Sequence, residues 1–74
     1  MTQIRNPELL SRFGNHLRQL RLSKNLSQEH LANVADIPIN QVGRIERGEI
    51  NPTLSTLQVI ANALDMSLPS LMDF

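Results

Sequence analysis

The sequence contains no cysteine, tryptophan or tyrosine, and its aromatic residues are limited to Phe13 and Phe74. Without cysteine, neither a disulfide framework nor a thiolate metal site can compensate for a small core. Its apolar runs fall well short of the ~20 residues that a membrane helix needs. Residues 1–7 also lack the apolar stretch of a signal peptide. We therefore expect a protein of the cytoplasm that has no membrane segment.

The chain also lacks an excess of charge of either sign, with seven basic and seven acidic residues. This balance counts against a nucleic-acid partner, because neutralising phosphates normally needs surplus Lys and Arg. The distribution points the other way. All seven basic residues lie in the first 47 positions beside four acidic ones, so that segment carries +3 and the remainder −3. Such a split suggests a polyanionic partner, and a solvated surface with accidental asymmetry explains it equally well.

Apolar residues recur at helical spacing throughout, whereas the two-residue alternation of a strand is not sustained anywhere. The 74 residues fit one domain. The pattern predicts an all-α fold, a compact bundle of five helices over residues 7–24, 28–35, 38 or 39–47, 54–64 and 68–72. Residues 1–6 are expected to form a flexible N-terminus and residues 7–74 a single domain.

Residues typical of helix ends stand at the boundaries of these predicted helices. The side chains expected to cap helix N-termini are Asn6, Ser27, Thr53 and Ser67. Asn25 and Gly48 are expected to stop the first and third helices in the left-handed conformation.

The third predicted helix presents two chemically different faces. At about 100° per residue, its inner face consists of Val42, Ile45 and Glu46. Its outer face consists of Asn40, Arg44 and Arg47. Arginine matches the edge of guanine and asparagine that of adenine, and a guanidinium also forks onto phosphate. A short helix of this kind after a tight turn fits the major groove as a recognition helix; the alternative is an ordinary solvated face.

Five segments together resemble the Cro/lambda-repressor-like, or XRE-like, helix-turn-helix family: LRQLR at 17–21, LSQEHLA at 26–32, IERG at 45–48, PTL at 52–54 and IANAL at 60–64. The resemblance extends over roughly residues 13–71. It implies a five-helix bundle whose second and third helices bind double-stranded DNA. It also implies a homodimer on a palindromic or pseudo-palindromic operator.

The resemblance assigns roles to particular residues. It implies base contacts from Ile39, Asn40 and Arg44, of which Ile39 offers only apolar contact, for example with a thymine methyl. It implies contacts with the DNA backbone from Gln28, Gln41, Arg47, Asn51, Thr53 and Ser55. It implies a partly buried ion pair between Arg21 and Glu46 that ties the first helix to the third.

The apolar C-terminal segment is too rich in large side chains for a solvated tail. We expect it to cap the core in part and to form an isologous dimer interface, as the resemblance implies, from Leu68, Leu71, Met72 and Phe74.

Three positions depart from the family pattern. Asp36 stands where glycine is usual in the turn, and aspartate tolerates the left-handed backbone at some cost. Pro38 replaces a common capping Ser or Thr, so the third helix loses a side-chain cap. Gly43 lies inside the third helix, where it costs about 1 kcal/mol relative to alanine. It either permits close approach to DNA or is simply tolerated.

The function expected from these features is a sequence-specific transcription regulator that acts as a dimer. A stand-alone repressor, a restriction–modification controller and an antitoxin with a toxin partner all fit a chain of this length. A protein-interaction module that kept the fold without DNA binding is the rival from another class. No catalytic motif is present, and His16 and His30 lack metal-ligand spacing, so we expect neither an enzyme nor a cofactor or metal.

Overall fold

The computed structural model describes residues 4–74, and within this range the fold is all-α, as the sequence predicts. The helices are α1 (Pro7–Ser23), α2 (Gln28–Ala35), α3 (Ile39–Glu46), α4 (Leu54–Ala63) and α5 (Leu68–Leu71). The predicted ends of α1, α3, α4 and α5 each lie one residue too far along the chain. The extra residue is in every case the C-cap, which directly follows the last helical residue. In the described range no helix combines the length and apolarity needed to cross a membrane.

Side chains cap the N-termini of four helices. Asn6, Ser27, Thr53 and Ser67 each accept a hydrogen bond from the backbone N–H three residues further on. These bonds satisfy donors that have no partner inside the helix. At α3 the N-cap is Pro38, which makes no side-chain bond, so the predicted loss of this cap is confirmed.

The first four helices all end at a residue in the left-handed conformation: Asn25, Asp36, Gly48 and Asp65, with φ of 58°, 59°, 73° and 56°. The next residue then donates its backbone N–H to a carbonyl five positions back, for example Glu49 to Arg44 at 2.9 Å. This arrangement is the Schellman motif. It reverses the chain sharply, so that each connection is short and brings the following side chain back beside the last helical turn.

The core lies between all five helices and excludes water almost completely. Its fully buried large side chains are Leu17, Leu31, Val42, Ile45, Ile60, Leu64 and Leu71. Leu71 is 0% exposed within a single chain. Its assignment to the dimer interface is therefore wrong, because helical spacing marks a residue as inward-facing without telling whether its own core or a second copy covers it.

Helices α1 and α3 approach so closely at Gly14 that a side chain is excluded there. A Cβ on Gly14 would lie 2.4 Å from the carbonyl oxygen of Glu46 and 2.6 Å from that of Ile45. Both are backbone atoms of α3, so no rotamer change relieves the contact. Gly14 thus sets the distance at which α1 holds the predicted recognition helix.

The residues before α1 contact the loop that follows α3. Asn51 Nδ2 donates to the carbonyl of Ile4 at 3.3 Å, and Arg5 Nη2 donates to the carbonyl of Glu49 at 2.8 Å. Residues 4 and 5 are thus attached to the domain by hydrogen bonds. The prediction of a flexible segment over residues 1–6 did not anticipate these bonds. Residues 1–3 lie outside the described residues.

Candidate nucleic-acid interface

Helix α3 exposes the side chains that the angular argument placed on its outer face. Asn40, Arg44 and Arg47 are exposed, whereas Val42 and Ile45 are 0% and 1% exposed. One face is therefore fixed in the core, and the other offers an amide and two guanidiniums. Such a face suits hydrogen bonding to base edges and phosphates.

Two further residues of α3 were assigned to DNA. Ile39 is the first residue of the helix and is 51% exposed, which leaves an apolar surface at its N-terminus. Gln41 is half-buried. Their contacts with DNA remain predictions.

A buried ion pair ties α3 to α1. Arg21 Nε donates to Glu46 Oε2 at 2.7 Å, and Arg21 Nη2 donates to Glu46 Oε1 at 3.0 Å. Arg21 Nη1 also donates to the carbonyl of Leu26 at 2.7 Å. The bidentate bond with Glu46 raises the pKa of Arg21. The guanidinium thus joins the C-terminal turn of α3 to the turn that precedes α2.

Gln28 is part of this network. Its Nε2 donates to Glu46 Oε1 at 3.0 Å, and the side chain is half-buried. The phosphate contact assigned to Gln28 therefore requires its amide to leave Glu46 or to reach DNA with its other atoms. The sequence did not reveal this bond, since residues 28 and 46 meet only when α2 and α3 pack.

The predicted phosphate contacts around the start of α4 lie on an accessible surface. Thr53 Oγ1 accepts from the N–H of Thr56 at 3.1 Å, so the residue is the N-cap, and Ser55 is exposed on the first turn. Asn51 is exposed and holds Ile4, as described above. Unpaired N–H groups at a helix N-terminus favour anions, so this surface suits the phosphate contacts predicted for it.

One residue that sequence reasoning missed is Glu49, which was counted only among the acidic residues of the C-terminal part. Its Oε2 accepts from Arg47 Nε at 2.5 Å, and its Oε1 lies 3.7 Å from Arg44 Nε. The hydrogen bond from Arg47 lowers the pKa of the Glu49 carboxyl, so the group is ionised at neutral pH. The signal was local, because a Schellman motif at Gly48 places residue 49 beside residue 44.

Arg5 is a second residue that the sequence analysis did not select. Together with Ile4, Arg44, Glu49, Ile50 and Asn51 it lines an open polar cleft of about 300 Å³ between the N-terminal segment and the loop after α3. The exposed basic surface therefore continues from α3 onto residues far away in sequence.

A family model described as helix-turn-helix matches residues 17–71 of the chain. This range contains α2, the turn at Asp36 and α3, together with the elements that hold them. The chain belongs to this helix-turn-helix family. With the outer face of α3 exposed as described, it is a DNA-binding transcription regulator, as the sequence predicts.

Two curated relatives of this helix-turn-helix protein are control proteins. Control protein C.SmaI of Serratia marcescens is 44% identical over 60 residues, which are 81% of this chain and 71% of the relative. Control protein C.BamHI of Bacillus amyloliquefaciens is 43% identical over 63 residues, which are 84% of this chain and 78% of the relative.

A solved structure gives the same picture of the fold. The restriction-modification controller protein C.AhdI from Aeromonas hydrophila superposes with a TM-score of 0.83 at 39% identity, covering 90% of this chain and all of that one. The five-helix arrangement of this helix-turn-helix protein is therefore one that a controller protein also adopts.

Proposed function

We propose that this protein is a sequence-specific regulator of the restriction–modification controller type that binds a palindromic operator as a homodimer. The observation that carries the proposal is the outer face of α3, where Asn40, Arg44 and Arg47 are exposed opposite a buried anchor. In this assignment Asn40 and Arg44 contact base edges, and Arg47 contacts the DNA backbone. The remaining backbone contacts come from Gln28, Gln41, Asn51, Thr53 and Ser55.

The relatives favour the controller type over a stand-alone repressor and over an antitoxin. Two curated relatives above 40% identity are control proteins, and a controller of known structure is covered over its full length. The antitoxin alternative, with its toxin partner, has no comparable support among these relatives. A location in the cytoplasm fits a DNA-binding regulator and stays a prediction.

A homodimer is supported by apolar side chains that a single chain leaves in part uncovered. Met72 is 40% exposed and Leu9 is 43% exposed. The two residues share an apolar groove of about 120 Å³ between α1 and the C-terminal segment, which Phe74 also lines. Leu68 and Phe74 are half-buried, so of the four interface residues predicted, these two and Met72 remain candidates.

The decisive experiment compares Arg44→Ala with Arg47→Ala, which remove the same charge from the same helix face. Both variants and the parent are titrated against the operator-bearing duplex from beside the protein's own gene and against a scrambled duplex. Arg44→Ala should cost about 1–3 kcal/mol on the cognate duplex and relax the preference at one base pair. Arg47→Ala should weaken both duplexes alike, since a phosphate contact carries no sequence information.

Two results would contradict the assignment. If Arg47→Ala changes the cognate-to-scrambled ratio while Arg44→Ala does not, the two roles are reversed. If the parent protein prefers no duplex from its own locus, the interaction-module alternative replaces the proposed function.

A further inference from the structure

Glu49 stands between the two arginines on which the proposed DNA contacts depend. One carboxylate oxygen accepts from Arg47 Nε at 2.5 Å, and the other lies 3.7 Å from Arg44 Nε. In both cases the nearest guanidinium atom is Nε. All three side chains are half-exposed, at 50% for Arg44, 58% for Arg47 and 46% for Glu49. A single acidic group thus bridges two cations on a surface that DNA is expected to approach.

Hydrogen bonds to both backbone polar groups of Glu49, its N–H and its carbonyl, fix the position of the residue. Its N–H donates to the Arg44 carbonyl at 2.9 Å, and Gly48, at φ 73°, makes the preceding turn. Its carbonyl accepts from Arg5 Nη2 at 2.8 Å. In a Schellman motif the side chains at the positions of Arg44 and Glu49 often make an apolar contact. Here an ion pair between Arg44 and Glu49 replaces that contact.

This geometry affects contacts with base edges and contacts with phosphates in opposite ways. An arginine held through Nε keeps Nη1 and Nη2, and a guanidinium that reads guanine needs only two of its donors. Arg44 makes no hydrogen bond with Glu49, but the carboxylate 3.7 Å from its Nε attracts that side of the guanidinium, which leaves Nη1 and Nη2 of Arg44 for a base. A phosphate, in contrast, attracts the guanidinium as a charge, and Glu49 both neutralises that charge and repels the phosphate.

We propose that Glu49 is a positioning residue that raises the specificity of DNA binding, by orienting Arg44 for the base edges of the operator and by weakening the attraction of Arg44 and Arg47 to phosphates, which are the same in every sequence. The inference rests on the proposed function, since it needs α3 to face DNA.

The test uses Glu49→Gln, which removes the charge while keeping the shape, and Glu49→Asp, which keeps the charge but shortens its reach. Asp65→Asn is the matched control. It removes one negative charge at the opposite end of α4 from Thr53, about 15 Å of helix away, and asparagine suits the left-handed backbone of that position. Each protein is titrated with cognate and scrambled duplexes over a range of salt concentrations, after its melting temperature has been measured.

We expect Glu49→Gln to bind the scrambled duplex about fivefold more tightly than the parent, which is the order expected when exposed ion pairs no longer compete. Its salt dependence should be steeper by about one released counterion. Cognate binding should stay level or weaken, so the ratio of the two affinities falls. Glu49→Asp should leave scrambled binding near that of the parent and weaken cognate binding.

Different outcomes overturn different statements. Equal effects of Glu49→Gln and Asp65→Asn on scrambled binding would refute the part played by the charge of Glu49. Unchanged cognate binding in Glu49→Asp would refute the positioning of Arg44. A parent without preference for any duplex would defeat the proposed function and the gain in specificity together, while the scrambled-duplex titrations still decide whether Glu49 restrains the arginines.

Discussion

At the scale of single residues, the two glycines inside helices, Gly14 in α1 and Gly43 in α3, have different kinds of neighbouring atoms. Gly14 faces backbone atoms of α3, the nearest of which would lie 2.4 Å from an added Cβ. An added Cβ on Gly43 would meet the ends of flexible side chains, Arg47 Nη1 at 3.0 Å and Gln28 Oε1 at 3.5 Å. Backbone cannot move without separating two helices, whereas a side-chain end rotates away.

Alanine substitutions at these two glycines should therefore change stability in opposite directions. Gly14→Ala should lower the free energy of unfolding by about 3 kcal/mol or more, because it forces α1 and α3 apart. Gly43→Ala should raise it by up to about 1 kcal/mol, the difference in helix propensity. Thermal unfolding of both variants measures this directly. A stable Gly14→Ala variant would show that the α1–α3 contact is looser than described.

The candidate site was predictable wherever it depends on helical periodicity alone. The exposure of Asn40, Arg44 and Arg47 follows from 100° per residue once the boundaries of α3 are known. The bond from Gln28 to Glu46 was not predictable, since it forms between two helices and depends on their crossing. The close approach at Gly14 was missed for the same reason, because a glycine inside a helix looks only like a weak helix former.

At the scale of elements, the ends of the helices decide how α3 is presented. Four left-handed residues close the connections, and one of them is glycine. The turn between α2 and α3 uses Asp36 at φ 59°, in agreement with the expectation that aspartate adopts this conformation there. The fold was largely predictable because capping residues and stops are local signals. Asp65 was missed as a stop since no glycine or asparagine marks it.

Replacing Asp36 by glycine should relieve the conformational cost at this turn. Asp36→Gly should stabilise the protein by up to about 1 kcal/mol, because glycine enters the left-handed region without a Cβ clash. For a domain of this size, 1 kcal/mol corresponds to roughly 4–8 °C in melting temperature. Asp36→Ala is the control and should melt below the parent. A glycine variant that melts no higher than the parent would mean that Asp36 contributes a stabilising contact of its own.

At the scale of the whole molecule, the C-terminal segment divides between the core of its own chain and the surface. Leu71 is fully buried. Phe74 packs edge-on against Phe13 at 5.5 Å and stacks on His16 at 5.4 Å, with the Arg12 guanidinium 5.5 Å from its ring centre. Phe74 therefore has partners within its own chain. Deleting the segment would remove core residues as well as surface ones, so a single substitution gives the clearer test of dimerisation.

Met72→Glu should produce a folded monomer. Met72 is 40% exposed beside Leu9, so a carboxylate there is solvated in one chain but is buried against a symmetry-related copy in an isologous interface. Sedimentation velocity at tens of micromolar should show a dimer for the parent and a monomer for Met72→Glu, with less than about 1 kcal/mol lost in the stability of the monomer unit. Leu71→Ala is the contrasting variant, and cavity formation in the core should cost it about 2–5 kcal/mol. The opposite outcome also has a definite meaning.

If Met72→Glu remains a dimer, the interface lies elsewhere. The next candidate is then the groove lined by Val34, Val59 and Ala63, where Val34 is 56% exposed. A parent that is monomeric in solution but binds its operator as a pair would place dimerisation on the DNA.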